Sequence, residues 1–173
     1  MIFQKAATEE FPLIKEFYWN LIDEMEEEND KIGWKKGIYP SDSFLTESLT
    51  KGELFTLKEN GELLACVILN SACNEGYTGV PWSLNCQDQD VLVPHALAVS
   101  PHRQGSGIGK RIVSEILTYA RQTGKKAVRL DILGTNSIAE KLYTSCGFQF
   151  VQQKTMFYED TGWTEYKMYE LNL

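Results

Sequence analysis

Apolar residues near the start of the chain recur at helical spacing: Phe11, Ile14, Tyr18, Leu21, Ile22 and Met25 form one stripe. Residues Ile2 to Ala7 before it read as a short strand, and Thr8 is placed to cap the helix. Glu9, Glu10 and Pro12 follow in its first turn, where acidic groups and proline are favoured. The acidic run Glu24, Glu26, Glu27, Glu28 and Asp30 closes it and reads as a solvated face. Lys31 to Pro40, rich in Gly and aromatics, reads as a loop. A second helix fits Ser41 to Thr50, stopped by Gly52. Two apolar runs, Leu54 to Leu57 and Leu63 to Leu69, flank Asn60-Gly61, a strong hairpin signal.

After a Gly- and Asn-containing stretch from Ser71 to Asp90, the pattern predicts a strand over Val91 to Val99. A helix over Gly107 to Gln122 follows, closed by Gly124. Next come a strand over Ala127 to Leu133 and a helix over Asn136 to Ser145, closed by Gly147. Two strands, Phe148 to Tyr158 and Glu165 to Leu173, end the chain. The order β-α-α-β-β-β-α-β-α-β-β predicts an α/β (α+β) protein, a mixed sheet of about seven strands with about four helices on it. No repeat, linker or shift in composition divides the 173 residues, so 1–173 is expected to form a single domain.

A net charge of −7 argues against a nucleic-acid partner, which needs clustered Lys and Arg, and against an anionic membrane surface. It favours the approach of a cationic substrate without identifying one. Cys66, Cys73, Cys86 and Cys146 show no CxxC spacing, and His95 and His102 are the only histidines. No metal site is expected, and the cysteines read as free thiols of a reducing compartment. No signal sequence or membrane-length apolar run is evident, so the expected location is cytoplasmic.

The candidate chemistry lies between the fourth strand and its helix, in Gln104-Gly105-Ser106-Gly107-Ile108-Gly109-Lys110. Glycines there let successive backbone N–H groups face a ligand at a helix N-terminus, which suits phosphate. Lys110 and Arg111 add charge. A P-loop does not fit, because Gly109-Lys110 is followed by Arg111 and Gln104 stands at the first glycine position. A dinucleotide fingerprint does not fit either, because Lys110 stands where its last glycine belongs. The pattern Q/R-x-x-G-x-G/A is met by Gln104, Gly107 and Gly109.

This loop resembles the coenzyme A loop of the GNAT superfamily of N-acetyltransferases. Downstream, Asn136-Ser-Ile-Ala139-Glu-Lys-Leu142-Tyr143-Thr-Ser-Cys-Gly147-Phe148 is similar to the family pattern N-x-x-A-x-x-L-Y-x-x-x-G-F. The resemblance implies a GNAT-like acyl-CoA N-acyltransferase fold: a mostly antiparallel, twisted sheet with a splayed central strand pair. It implies acetyl-CoA as co-substrate. Leu97, Ala98 and Val99 would meet the pantetheine arm, and Gln104, Gly105, Ser106, Gly107, Ile108, Gly109 and Lys110 the pyrophosphate. Asn136 would contact the cofactor, and it also suits an N-cap.

Tyr143 matches the family's general acid, which protonates the departing thiolate; a packed aromatic is the structural alternative. His95, in His95-Ala-Leu-Ala-Val99, resembles the strand of serotonin N-acetyltransferase and its relatives, where a histidine here serves a water-linked proton path. The second histidine of that pattern is replaced by Val93, and a core histidine is the alternative. His102 is expected to face solvent. Trp34, Tyr39, Trp82, Tyr158 and Trp163 are expected to overhang the substrate cleft, and Asp160 is a candidate attractor for an amine. The expected activity is acetyl transfer by direct attack of a primary amine, on a small molecule or a peptide. Cys146 lacks a neighbour that would make it a nucleophile. A non-catalytic acyl-CoA sensor of the same fold is the alternative, a purely structural module is a third reading, and a homodimer is left open.

Overall fold

The computed structural model describes residues 1–27, 32–103 and 105–173. β1 (Ile2–Lys5) leads through a 3-10 turn into α1 (Phe11–Glu27). Thr8 does not cap this helix: the Ala7 N–H donates to Glu10 Oε2 at 2.8 Å, so the carboxylate three residues on supplies the cap. α2 (Asp42–Thr50) is capped by Ser41, whose hydroxyl accepts from the Phe44 N–H. β2 (Leu54–Glu59) and β3 (Glu62–Asn70) turn at Asn60-Gly61, both with positive φ as a tight primed turn requires. β4 (Val91–Val99), α3 (Ile108–Gln122), β5 (Ala127–Leu133), α4 (Ser137–Ser145), β6 (Gln149–Tyr158) and β7 (Gly162–Asn172) complete the order. β7 starts three residues before the expected Glu165, because Gly162 at φ +66 closes a tight hairpin in which Tyr158 faces Gly162.

The seven strands form one sheet in the order β1-β2-β3-β4-β5-β7-β6. Every neighbouring pair is antiparallel except β4 and β5. The apolar stripe of α1 buries Ile14, Tyr18, Leu21 and Met25, with Leu45 and Leu49 of α2, against one face. Ile108, Ile112, Val113 and Ile116 of α3, with Tyr143 of α4, bury against the other. At about 25 cal/mol per Å² of apolar surface, these two layers supply the main driving force for folding.

The parallel pair positions the site. β4 and β5 are paired only at Val91↔Ala127 and Leu92↔Val128, and the rest of β4 has no β5 partner. On its other edge β4 slips register against β3 between Cys66 and Ile68, where Ala96 adopts φ +48. A β-branched or larger residue would resist that conformation; alanine tolerates it at a cost of about 1–2 kcal/mol. The Tyr18 hydroxyl, buried under the sheet, donates to the Ala96 carbonyl at 2.7 Å and fixes the bulge from below.

Residues 71–90 are pinned beside β5 by Arg129 and Glu170, a buried ion pair at 2.9 Å in which Glu170 also accepts from the Ser83 N–H at 2.8 Å. The same guanidinium donates to the Leu84 carbonyl and lies 4.6 Å from the Trp82 ring centroid. Among the described residues no helix is long and apolar enough to cross a membrane.

Candidate active site

The splay between β4 and β5 opens a cavity of about 480 Å³. One wall is Leu97, Ala98 and Val99, and the far end is Gly105, Gly107, Ile108, Gly109 and Lys110. Asn136, Tyr143 and His95 also line it. These expected residues, separate in sequence, meet around one space. Ser106 does not line it; its hydroxyl donates to the Arg103 carbonyl instead. Gln104 lies outside the described residues.

At the α3 end, Gly105 and Gly107 have φ +76 and +85, and a Cβ on either would meet nothing within 4 Å. These glycines are therefore required by backbone conformation beside open space, not by close packing. The N–H groups of Gly107, Ile108, Gly109 and Lys110 have no acceptor among the described residues. Unpaired amides at the positive end of a helix dipole fit a phosphate-bearing group, as coenzyme A is. Gly109 has a second duty: a Cβ there would come within 3.2 Å of Leu142, so its size also sets the approach of α3 to α4. The Arg111 guanidinium is paired with Glu115, whereas exposed Lys110 forms no ion pair among the described residues.

Asn136 caps α4, accepting from the Ala139 N–H at 3.0 Å, while its side of the helix faces the cavity. Tyr143 is 6% exposed and packs edge-on against Phe148 at 5.3 Å. Its hydroxyl makes no hydrogen bond among the described residues and is not sealed in the interior, so it opens to the cavity. Burial, and secondarily Asp131, raises its pKa, so the phenol stays protonated at neutral pH.

His95 Nε2 lies 2.9 Å from Asn70 Oδ1. The Asn70 amide is oriented by two other bonds: its Nδ2 donates to Glu53, and its Oδ1 accepts the Ala72 N–H. An amide oxygen only accepts, so Nε2 carries the hydrogen and Nδ1 is the basic nitrogen of the neutral ring. Burial lowers the pKa to about 4, a backbone hydrogen bond to Ala72 opposing this only in part. His102 is exposed, as expected, and approaches Glu24 at 3.3 Å.

Of the expected aromatic overhang, Trp34, Tyr39 and Tyr158 line the cavity, as does Asp160. Trp82 packs on Arg129 instead, and Trp163 is 74% exposed against Phe157. Glu28 to Lys31, and the side chains of Glu26 and Glu27, lie outside the described residues. The largest omission from the sequence reading is Asp131 of β5, which lines the cavity and accepts from the hydroxyls of Tyr77 and Tyr158. Its only signal was a charge inside an apolar strand. The thiols are free in the structure; burial pushes Cys66 up strongly and Cys73 to about 11. Among the described residues no group of three or more His, Cys, Asp or Glu side chains could hold a metal ion.

A splayed parallel pair with free amides at the following helix is the arrangement that the sequence resemblance implied. The model of the acetyltransferase (GNAT) family matches residues 14–148. The chain belongs to that family. Among curated relatives of this GNAT protein, an uncharacterised N-acetyltransferase of Bacillus subtilis, YesJ, is 29% identical over 107 residues. That match covers 62% of this chain and 58% of the relative, so the chain spans less than two thirds of the length of the relative it matches. An acetyltransferase of the GNAT family from Streptococcus agalactiae superposes with a TM-score of 0.80 at 17% identity, over 99% of this chain and 95% of that one. The Salmonella typhimurium acetyltransferase yncA, solved with its cofactor acetyl-CoA, gives 0.68 at 19% identity, over 100% and 94%. These two likenesses establish the GNAT fold.

Proposed function

We propose that residues 1–173 act as one N-acetyltransferase domain that moves the acetyl group of acetyl-CoA to a primary amine of a small molecule or peptide by direct attack. The observation that carries this reading is the continuity of one cavity, from the unpaired amides of α3 to the free hydroxyl of Tyr143. When bound, acetyl-CoA supplies an activated acetyl group and a thiolate leaving group.

The amides of Gly107 to Lys110 hold the diphosphate, with the Lys110 ammonium beside them. The unpaired edge of Leu97, Ala98 and Val99 offers backbone groups to the pantetheine arm, and Asn136 steadies it from α4. Tyr143 holds a proton at its phenol oxygen for the departing sulfur. An amine of ordinary basicity arrives as an ammonium ion and must lose a proton before it attacks. His95 offers an unprotonated Nδ1 at neutral pH as one step of the route by which that proton leaves. The free hydroxyl of Tyr143 favours catalysis over acyl-CoA sensing, because a sensor has no use for a proton donor at the sulfur. With thiols unpaired and no covalent nucleophile required, a reducing cytoplasm suits the protein.

Thiol release from acetyl-CoA across a panel of alkylamines, arylalkylamines, amino acids and peptides tests this. Release dependent on one class of amine is expected. Coenzyme A binding without release on any acceptor would favour the sensor.

A further inference from the structure

The cavity is electrically divided. At its α3 end stand Lys110, the helix N-terminus and Arg103, whose guanidinium is already paired with Glu62. At its inner end stand two carboxylates, Asp131 and Asp160, the latter only 6% exposed. Among the described residues, neither forms an ion pair within 4 Å.

Asp131 is held with care. Its Oδ1 accepts from the Tyr77 hydroxyl at 2.7 Å and the Tyr158 hydroxyl at 3.0 Å. Among the described residues its Oδ2 accepts from one other side chain, the Tyr158 hydroxyl at 3.1 Å. A carboxylate has about four acceptor sites, so capacity remains on Oδ2. If Asp131 served only to tie two phenols together, a neutral acceptor would do so with less desolvation cost. Burial raises the pKa of Asp131 and the two phenol hydrogen bonds oppose that, so a charge kept in this apolar strand beside a cavity calls for a cation that enters from outside. The ring pairs Tyr158–Tyr166 at 4.9 Å and Trp34–Tyr39 at 5.8 Å bring aromatic faces to the same end, where a cation is favoured. Tyr143 lies within electrostatic reach of Asp131, which puts this end beside the proposed acid.

We propose that Asp131, braced by Tyr77 and Tyr158, is the ammonium-binding residue of the acceptor pocket, and that the acceptor is a small amine that arrives cationic and carries no carboxylate. This rests on the transferase reading. The ammonium donates to Oδ2 on entry, and its proton then leaves by the route given to His95. Asp160 adds a second negative charge that repels amino acids.

The test compares Asp131→Asn with the unchanged protein on two acceptors of similar size. One is an alkylamine, cationic at neutral pH; the other is an alkoxyamine, which is neutral there. The ratio of kcat/KM for the alkylamine to that for the alkoxyamine is expected to fall roughly ten- to a hundredfold, the range of a charge-assisted hydrogen bond, mostly through KM. A ratio unmoved by the substitution overturns the proposal, since a merely structural role lowers both acceptors alike. Should Asp131→Asn not fold, Tyr158→Phe keeps the carboxylate and removes a brace. It must then lower the same ratio several-fold, and an unchanged ratio counts against the proposal equally. Calorimetric titration of the alkylamine into the coenzyme A complex needs no turnover. Tight binding dependent on Asp131 without acetyl transfer would remove the transferase reading and leave this site standing; binding indifferent to Asp131 would remove the site.

Discussion

Among the described residues the one sealed side-chain polar atom without a partner is Thr56 Oγ1, so the Tyr143 hydroxyl opens instead to the cavity, where a ligand can meet it. Tyr143→Phe is expected to lower turnover by tens- to hundreds-fold, within or near the usual contribution of a general acid, while coenzyme A still binds. Steady-state kinetics with parallel calorimetry check this, and undiminished turnover removes the role. His95 makes a separate prediction. Its pKa when folded, about 4, lies below the ordinary value near 6.5, so between those limits the unfolded chain binds the extra proton. The histidine thus withdraws stability as pH falls through that window. Denaturant unfolding at pH 7 and pH 5 should show a larger loss for the natural protein than for His95→Gln, and equal losses would contradict it. In catalysis, His95→Ala is expected to be slower near neutral pH and partly rescued at higher pH, where more amine arrives deprotonated. Tyr143, Asn136 and His95 were legible because each sits in a local pattern of residues. Asp131 was not, because its meaning comes from Tyr77 and Tyr158, 54 and 27 positions away.

The start of α3 carries the argument among the elements. Gly107 precedes Ile108 in a left-handed conformation that turns the chain into the helix, and the space beside it is open. Gly107→Ala forces an L-residue into that region at about 1–2 kcal/mol. A small fall in thermal stability is therefore expected, with a clearly larger loss of coenzyme A affinity as the amides turn away. Equal affinity in the two proteins would mean that these amides do not grip the ligand. Helices and most strands were readable to within a residue or so, because amphipathic stripes and turn glycines are local signals. Two ends were not. α1 takes its cap from Glu10 through the Ala7 amide, a pattern the hydroxyl of Thr8 obscured. β7 begins in Gly162-Trp163-Thr164, where Trp163 stands exposed and breaks the expected alternation.

Across the whole molecule the decisive feature is a pairing that stops. β4 and β5 run side by side for two residue pairs and then part, with one helix layer on each face of the sheet holding the gap open. No period in the sequence announces where a parallel pair will separate; only the family resemblance implied it. The bulge at Ala96, tied down by Tyr18, was equally silent, because an alanine with positive φ has no sequence signature. Charge is likewise arranged at this scale, with cations near the α3 end of the cavity and carboxylates at the other. The measurement that bears most directly on the account is calorimetric titration of coenzyme A into the full chain and into Gly107→Ala. Saturable binding of one coenzyme A per chain, displaced by acetyl-CoA and weakened in the variant, is the predicted result. Absence of saturable binding to the unaltered chain would contradict it.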